Sequence, residues 1–246
     1  NILPDELSMD DALKIHALFI TATEDESASA EQIFARIASV SRSLVRIEKK
    51  DWLRAASMYF RLADSGLPAP EKNINDPFNL LHSLCGLVVA SKKPISPRLQ
   101  QTISEMEKSL CVNLDWQNIL IHTSDKSLAA YNEIKNKWDS EGQKIFSPLL
   151  KKWLAAQLSS AFYPFAGLGE TLLERITIIG VRFSIFRLAL ISAYSMYNGK
   201  LHQDDVVRIV QSLSRFLDHL ADPAFSLQIY AETGWSKESR MLGLLS

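Results

Sequence analysis

The sequence predicts an all-α protein: a single multi-helix domain of about nine to eleven helices around a long central apolar helix at about residues 170–198. Three observations predict it. Apolar residues recur at three and four along most of the chain, as at Ile33, Ile37, Val40 and Leu44. Helix-start signals precede these runs, among them Ser29 with Gln32 at capping-box spacing and the pairs Asp76-Pro77 and Ser96-Pro97. No alternating strand run with a hairpin turn interrupts the pattern. Residues 1–246 read as one helical region with a soft internal boundary at the Pro-rich loop 66–77.

Taken in order, Ser8 caps the first helix, with Asp10 and Asp11 favourable in its first turn. A polar linker, 23–29, leads to the capping box. The helix from Asp51 stops at Gly66. After the loop, "FNLLHSLCGLVVA" is apolar nearly all round and reads as buried. Residues 112–146 are more polar, with Trp116 and Trp138 as anchors. Pro148 begins or kinks a helix that runs to Pro164. The apolar helix follows and ends at Asn198-Gly199. Three further helices start near Gln203, at Pro223 after an Asp222 cap, and after a Ser236 cap.

Composition excludes several function classes. A net charge of −1 gives no global case for binding nucleic acid or an anionic membrane. Two cysteines, Cys85 and Cys111, make neither a disulfide framework nor a multi-cysteine metal site, and read as reduced, partly buried thiols of a cytoplasmic protein. No basic segment followed by an apolar one marks a signal peptide, and a chain opening on Asn1 reads as part of a longer protein. Residues 176–197 are long enough to span a bilayer. Arg182 and Arg187 lie inside them, and each costs about 2.5–3.5 kcal/mol at a membrane centre, so a core helix is favoured. Its arginines must then reach the surface, pair with acids, or line a cleft, where a guanidinium would bind carboxylate or phosphate.

Standard catalytic signatures are absent. There is no phosphate loop, no H-E-x-x-H and no G-x-S-x-G. "GLGET" (167–171) places two glycines before a helix, but without a preceding strand it reads as a simple turn rather than an anion site. The five histidines show no ligand spacing. In the helix 204–220, Val206, Ile209, Val210, Leu213, Phe216, Leu217 and Leu220 form one apolar stripe. Asp204, Arg208, Arg215 and His219 lie opposite it. Asp204 and Arg208 read as an ordinary surface pair, and Arg215 with His219 as a solvated face or a face that meets another domain or a ligand.

Four stretches, in order, are similar to the flagellin lysine-N-methylase family: "KKWLAAQLSSAFYPF" with its Tyr163-Pro164-Phe165 turn, the long apolar helix, "DDVVRIVQSLSRFLDHL" with Ser214, Arg215 and His219 in a Ser-Arg-x-x-x-His pattern, and "SRMLGLLS". The opening "DDALKIHALFITATEDESASAEQIFARI" resembles the family's mid-chain helices. The resemblance implies a cytoplasmic protein-lysine N-methyltransferase that acts on flagellin with S-adenosylmethionine as methyl donor. It implies that this chain is the C-terminal portion, in contact with an N-terminal region whose cysteine cluster holds a metal or iron–sulfur centre. This portion would contribute substrate recognition and part of the donor site and would be inactive alone. Candidate residues follow from the needs of the reaction. Tyr163, Phe165 and Tyr194 are aromatics suited to a methylsulfonium cation. Arg182, Arg187, Arg215 and His219 suit a donor carboxylate or an acidic patch of the substrate. The alternative is a non-enzymatic helical interaction module, since no complete catalytic constellation is present.

Overall fold

The computed structural model describes residues 7–62, 76–219, 223–232 and 235. Those residues are helical apart from turns and one short hairpin, as the periodicity predicts. Most of the Pro-rich loop, the Gly66 stop, the Asp222 cap and the Ser236 helix lie outside the described residues. The chain divides into two compact units: 1–71, 146–180 and 234–246 in the first, and 72–145 and 181–233 in the second.

The first unit contains α1 (Met9–Ala22), α2 (Ala30–Val45) and α3 (Trp52–Leu62). The caps act as the sequence predicts. The Ser8 hydroxyl accepts from the Asp11 amide, and Ser29 and Gln32 close a reciprocal capping box on α2. Ile15 and Phe19 of α1 and Ile33, Phe34 and Ile37 of α2 are fully buried. Between α1 and α2, the Asp25 carboxylate accepts from the Ser27 hydroxyl (2.6 Å) and amide (2.9 Å) and from Arg36 (3.0 Å). Ser27 first, and then Arg36, draw its pKa down to about 2. Its folded value lies below its unfolded one of about 3.9. Its stabilising contribution is therefore complete above the unfolded value and is lost as pH falls through the folded one. Asp25→Asn should lower stability at neutral pH and flatten the acid-unfolding curve between pH about 4 and about 2. Parallel acid titrations of the two proteins, followed by circular dichroism, check this, and coincident curves would contradict it.

The same unit holds most of α7 (Gln143–Ser160) and the start of α8 (Leu172–Met196). Pro148 lies inside α7 rather than at its start. The helix ends at Ser160, before a turn in which Phe162 takes a positive φ and the Tyr163-Pro164 bond is cis. Arg175 of α8 holds this turn. Its guanidinium donates to the carbonyls of Pro164 (2.8 Å), Phe165 (2.9 Å), Gly169 (3.1 Å) and Glu170 (3.1 Å). The anion at the start of α8 is the chain's own: the Glu174 carboxylate accepts from the amides of Glu170 (2.8 Å) and Thr171 (2.9 Å). "GLGET" is thus the turn the sequence predicts, and the Glu174 amide in the first turn of α8 donates back to the Thr171 hydroxyl (3.2 Å).

The second unit contains α4 (Asp76–Ser91), α5 (Pro97–Ser109), β1 (Asn113–Asp115), β2 (Leu120–His122), α6 (Asp125–Lys137), most of α8, α9 (Gln203–Asp218) and α10 (Pro223–Glu232). As predicted, α4 is buried nearly all round, and Ser96 caps α5 with Pro97 in its first turn. The antiparallel pair β1–β2 corrects the expectation of no hairpin. Its strands are too short to show alternation, and the turn is built by Asp115, whose carboxylate accepts from the amides of Gln117 and Asn118. Trp116, on that turn, is 36% exposed and anchors nothing in the core, whereas Trp138 is fully buried. A π-helical segment, Trp138–Gly142, joins α6 to α7.

Every residue of α8 from Ile176 to Tyr194 is buried. By length and composition α8 is apolar enough to cross a membrane, but its most apolar window is wholly buried by the chain itself. It is a core helix. Neither cysteine is in a disulfide. Burial pushes the Cys85 thiol up to about 12, while Cys111 is exposed rather than partly buried.

Candidate functional site

The candidate site is built on α9. Ile209, Leu213 and Leu217 of the predicted stripe are buried, and Val206, Val210 and Phe216 are half-buried; Leu220 lies outside the described residues. Helix α5 runs antiparallel along α9, with Thr102 beside Ser212 (3.3 Å) and Arg98 donating to Gln211 (3.1 Å). Arg208 is not the partner of Asp204 in an exposed pair. Its guanidinium donates to both oxygens of Glu105 (2.7 and 2.8 Å) and to the Thr102 hydroxyl (3.0 Å). The Arg208 and Glu105 side chains are only 11% and 10% exposed. A helical wheel shows one helix alone. The acid that matters is on another helix, and its bidentate, shielded geometry outcompetes an exposed i,i+4 contact.

The other end of α9 is held by Arg182. From α8 it donates to the Asp218 carboxylate (3.0 Å) and to the Leu217 carbonyl. A buried guanidinium thus satisfies a carbonyl of the last turn, which has no partner within the helix. Together Glu105 and Arg182 fix α9 near each end.

Between the α4–α5 connection and the C-terminal half of α9 lies a cleft of about 510 Å³. Lys93, Arg215 and His219 supply its charged and polar wall, and Ile95, Leu99 and Phe216 its apolar wall. Lys93 is aimed by a bond from its ammonium to the His219 carbonyl (3.2 Å). Arg215 and His219 are exposed, and among the described residues neither side chain has a hydrogen-bond or ion-pair partner. No Asp or Glu is among the described residues that line the cleft. Lysine in the "SKKP" connection carries no sequence signal of a site, so Lys93 is found only through the fold.

The remaining predicted residues are engaged by the chain itself. Tyr163 and Phe165 belong to the first unit. Tyr163 is fully buried, its hydroxyl sharing a hydrogen bond with Ser41 (2.5 Å) and its ring meeting Phe19 edge-on, and burial raises its pKa. Phe165 stacks on Trp52, with ring centroids 6.0 Å apart. Arg187, Arg182 and Tyr194 belong to the second unit. Arg187 is buried with its guanidinium 6.0 Å from the Trp138 ring. Tyr194 donates to Glu141 (3.1 Å) and already has the Lys137 ammonium over its ring. The structure therefore brings Arg215 and His219 together in one cleft with Lys93, and places the other five outside its lining. Among the described residues, no group of three or more His, Cys, Asp or Glu side chains is placed to hold a metal ion.

The family model of the FliB lysine N-methylase C-terminal domain matches residues 4–244. The chain belongs to this family. No curated protein and no solved structure matches it. The match takes in the stretch 65–145, where the sequence motifs alone show little resemblance, so the hairpin, α6 and the Lys93 connection lie within the FliB lysine N-methylase C-terminal domain as well. The family implies that the full-length protein is a lysine methyltransferase.

Proposed function

We propose that this chain is the substrate-recognition region of a cytoplasmic flagellin lysine N-methylase that uses S-adenosylmethionine as methyl donor. The observation that supports this is the α5–α9 cleft, where Arg215 and His219, without a side-chain partner among the described residues, stand on a helix held near both ends. A helix so anchored holds the backbone of Arg215 and His219 in place, so that a partner has to order only the two side chains. The donor supplies an electrophilic methyl group to the neutral lysine amine. The cleft does not fit its sulfonium: two of the described lining side chains are cations, and Phe216 is the one Phe, Tyr or Trp among them. This region accordingly positions the protein substrate. The iron–sulfur or other metal centre implied by the resemblance belongs with the cysteine cluster of the N-terminal part.

The test is flagellin methylation by the full-length enzyme carrying Arg215→Ala or His219→Ala, read by mass spectrometry at several flagellin concentrations. Both side chains are exposed, so neither change should unfold the protein. KM for flagellin should rise by about tenfold for Arg215→Ala, the loss of one charge-assisted contact, with kcat little changed. Unaltered kinetics would return both residues to a merely solvated face.

A further inference from the structure

We propose that the α5–α9 cleft is a carboxylate site, and that it takes an Asp or Glu side chain standing beside an apolar residue on the protein substrate. The proposal rests on the substrate-recognition reading above and adds the chemistry that is recognised. Three features carry it. First, the cleft gathers Lys93, Arg215 and His219 with no lining acid among the described residues, so its field favours an anion. Second, donors are available. Among the described residues Arg215 and His219 have no side-chain partner, and Lys93 spends one of its three N–H groups on the His219 carbonyl. A guanidinium matches a carboxylate with two parallel bonds. Third, Ile95, Leu99 and Phe216 form an apolar wall beside these donors. A small inorganic anion would leave that wall wet, whereas an acidic residue with an apolar neighbour covers it.

The same chemistry argues against the methyl donor as occupant. Its one carboxylate is accompanied by an ammonium and a sulfonium, and its net positive charge is opposed by Lys93 and Arg215. The N-terminus of α5 adds to the field in the same sense, since Ser96 and Pro97 line or adjoin the cleft at the positive end of that helix.

Titration calorimetry on the full-length protein tests this with four probes: a capped Gly-Leu-Asp-Gly peptide, its Asn counterpart, inorganic phosphate and S-adenosylmethionine. The Asp peptide should bind, the Asn peptide about tenfold more weakly or worse, and added salt should weaken the former. Arg215→Ala should remove the preference for Asp, and Arg215→Lys should restore part of it. Equal binding of the two peptides overturns the proposal, as does no binding of either. Tighter, Arg215-dependent binding of phosphate or of S-adenosylmethionine gives the cleft to that ligand and overturns it too. If Arg215→Ala raises KM for flagellin while the peptides bind alike, the substrate reading survives and the carboxylate site fails. If flagellin kinetics are unmoved while the Asp preference depends on Arg215, the carboxylate site stands and the flagellin reading fails.

Discussion

Glu105→Ala is expected to lower the stability of the protein by about 3–5 kcal/mol, because it leaves the shielded Arg208 guanidinium without its acid. Glu105 accepts from Arg208 with both oxygens and also from Tyr197 (3.1 Å) and Gln101 (3.0 Å). What remains to Arg208 is the Thr102 hydroxyl and Asp205 at 3.8 Å. Removing both charges should cost much less, since replacing a buried pair by apolar groups of similar volume is often close to neutral. Urea unfolding of Glu105→Leu, Arg208→Met and the Glu105→Leu/Arg208→Met pair, with Glu105→Ala beside them, measures this as a coupling energy. A single-mutant loss below about 1 kcal/mol would mean that the pair acts as an exposed one. Because the pair sets α9 against α5, and both line the cleft, Glu105→Ala should also raise KM for flagellin in the full-length enzyme.

Trp138→Ala should cost about 3–5 kcal/mol, the range for truncating a buried aromatic. Trp138 is fully buried and opens the π-helical segment. Gly142, four residues on, has no room for a side chain there: an added Cβ would lie 2.7 Å from the indole ring. Gly142→Ala should therefore destabilise the wild-type protein but lose most of that penalty in the Trp138→Ala background, where the ring is gone. Thermal unfolding of the two single mutants and the double mutant checks this. Strictly additive losses would show that the ring and the missing Cβ do not share the space.

These two sites show how differently parts of the molecule can be read from the sequence. Ser8, Ser29 with Gln32, and Ser96 with Pro97 announce their helices because a cap bonds to amides within the next turn. The burial of α4 and α8 follows from apolar residues on every side. The hairpin at 113–122 is missed because three-residue strands hold too few positions to show a period of two. Trp116 and Trp138 look alike in the sequence, and only packing puts one on an exposed turn and the other in the core.

The candidate site divides in the same way. The all-α class, the long buried helix, and the placement of Arg215 and His219 on the side of α9 away from its apolar stripe can all be read from the order of the residues. All of these are properties of a single helix or its ends, settled by residues within a few positions of each other. It took the packing of the helices to turn Arg208 to Glu105, to set Arg182 against the end of α9, and to join Lys93 with Arg215 and His219 in a cleft with no acid among its described lining residues. Those partners are 103, 36 and more than 120 residues apart. Over such separations the preference of a charged side chain for one partner over another depends on distance and on shielding from water, which exist only once the helices have packed.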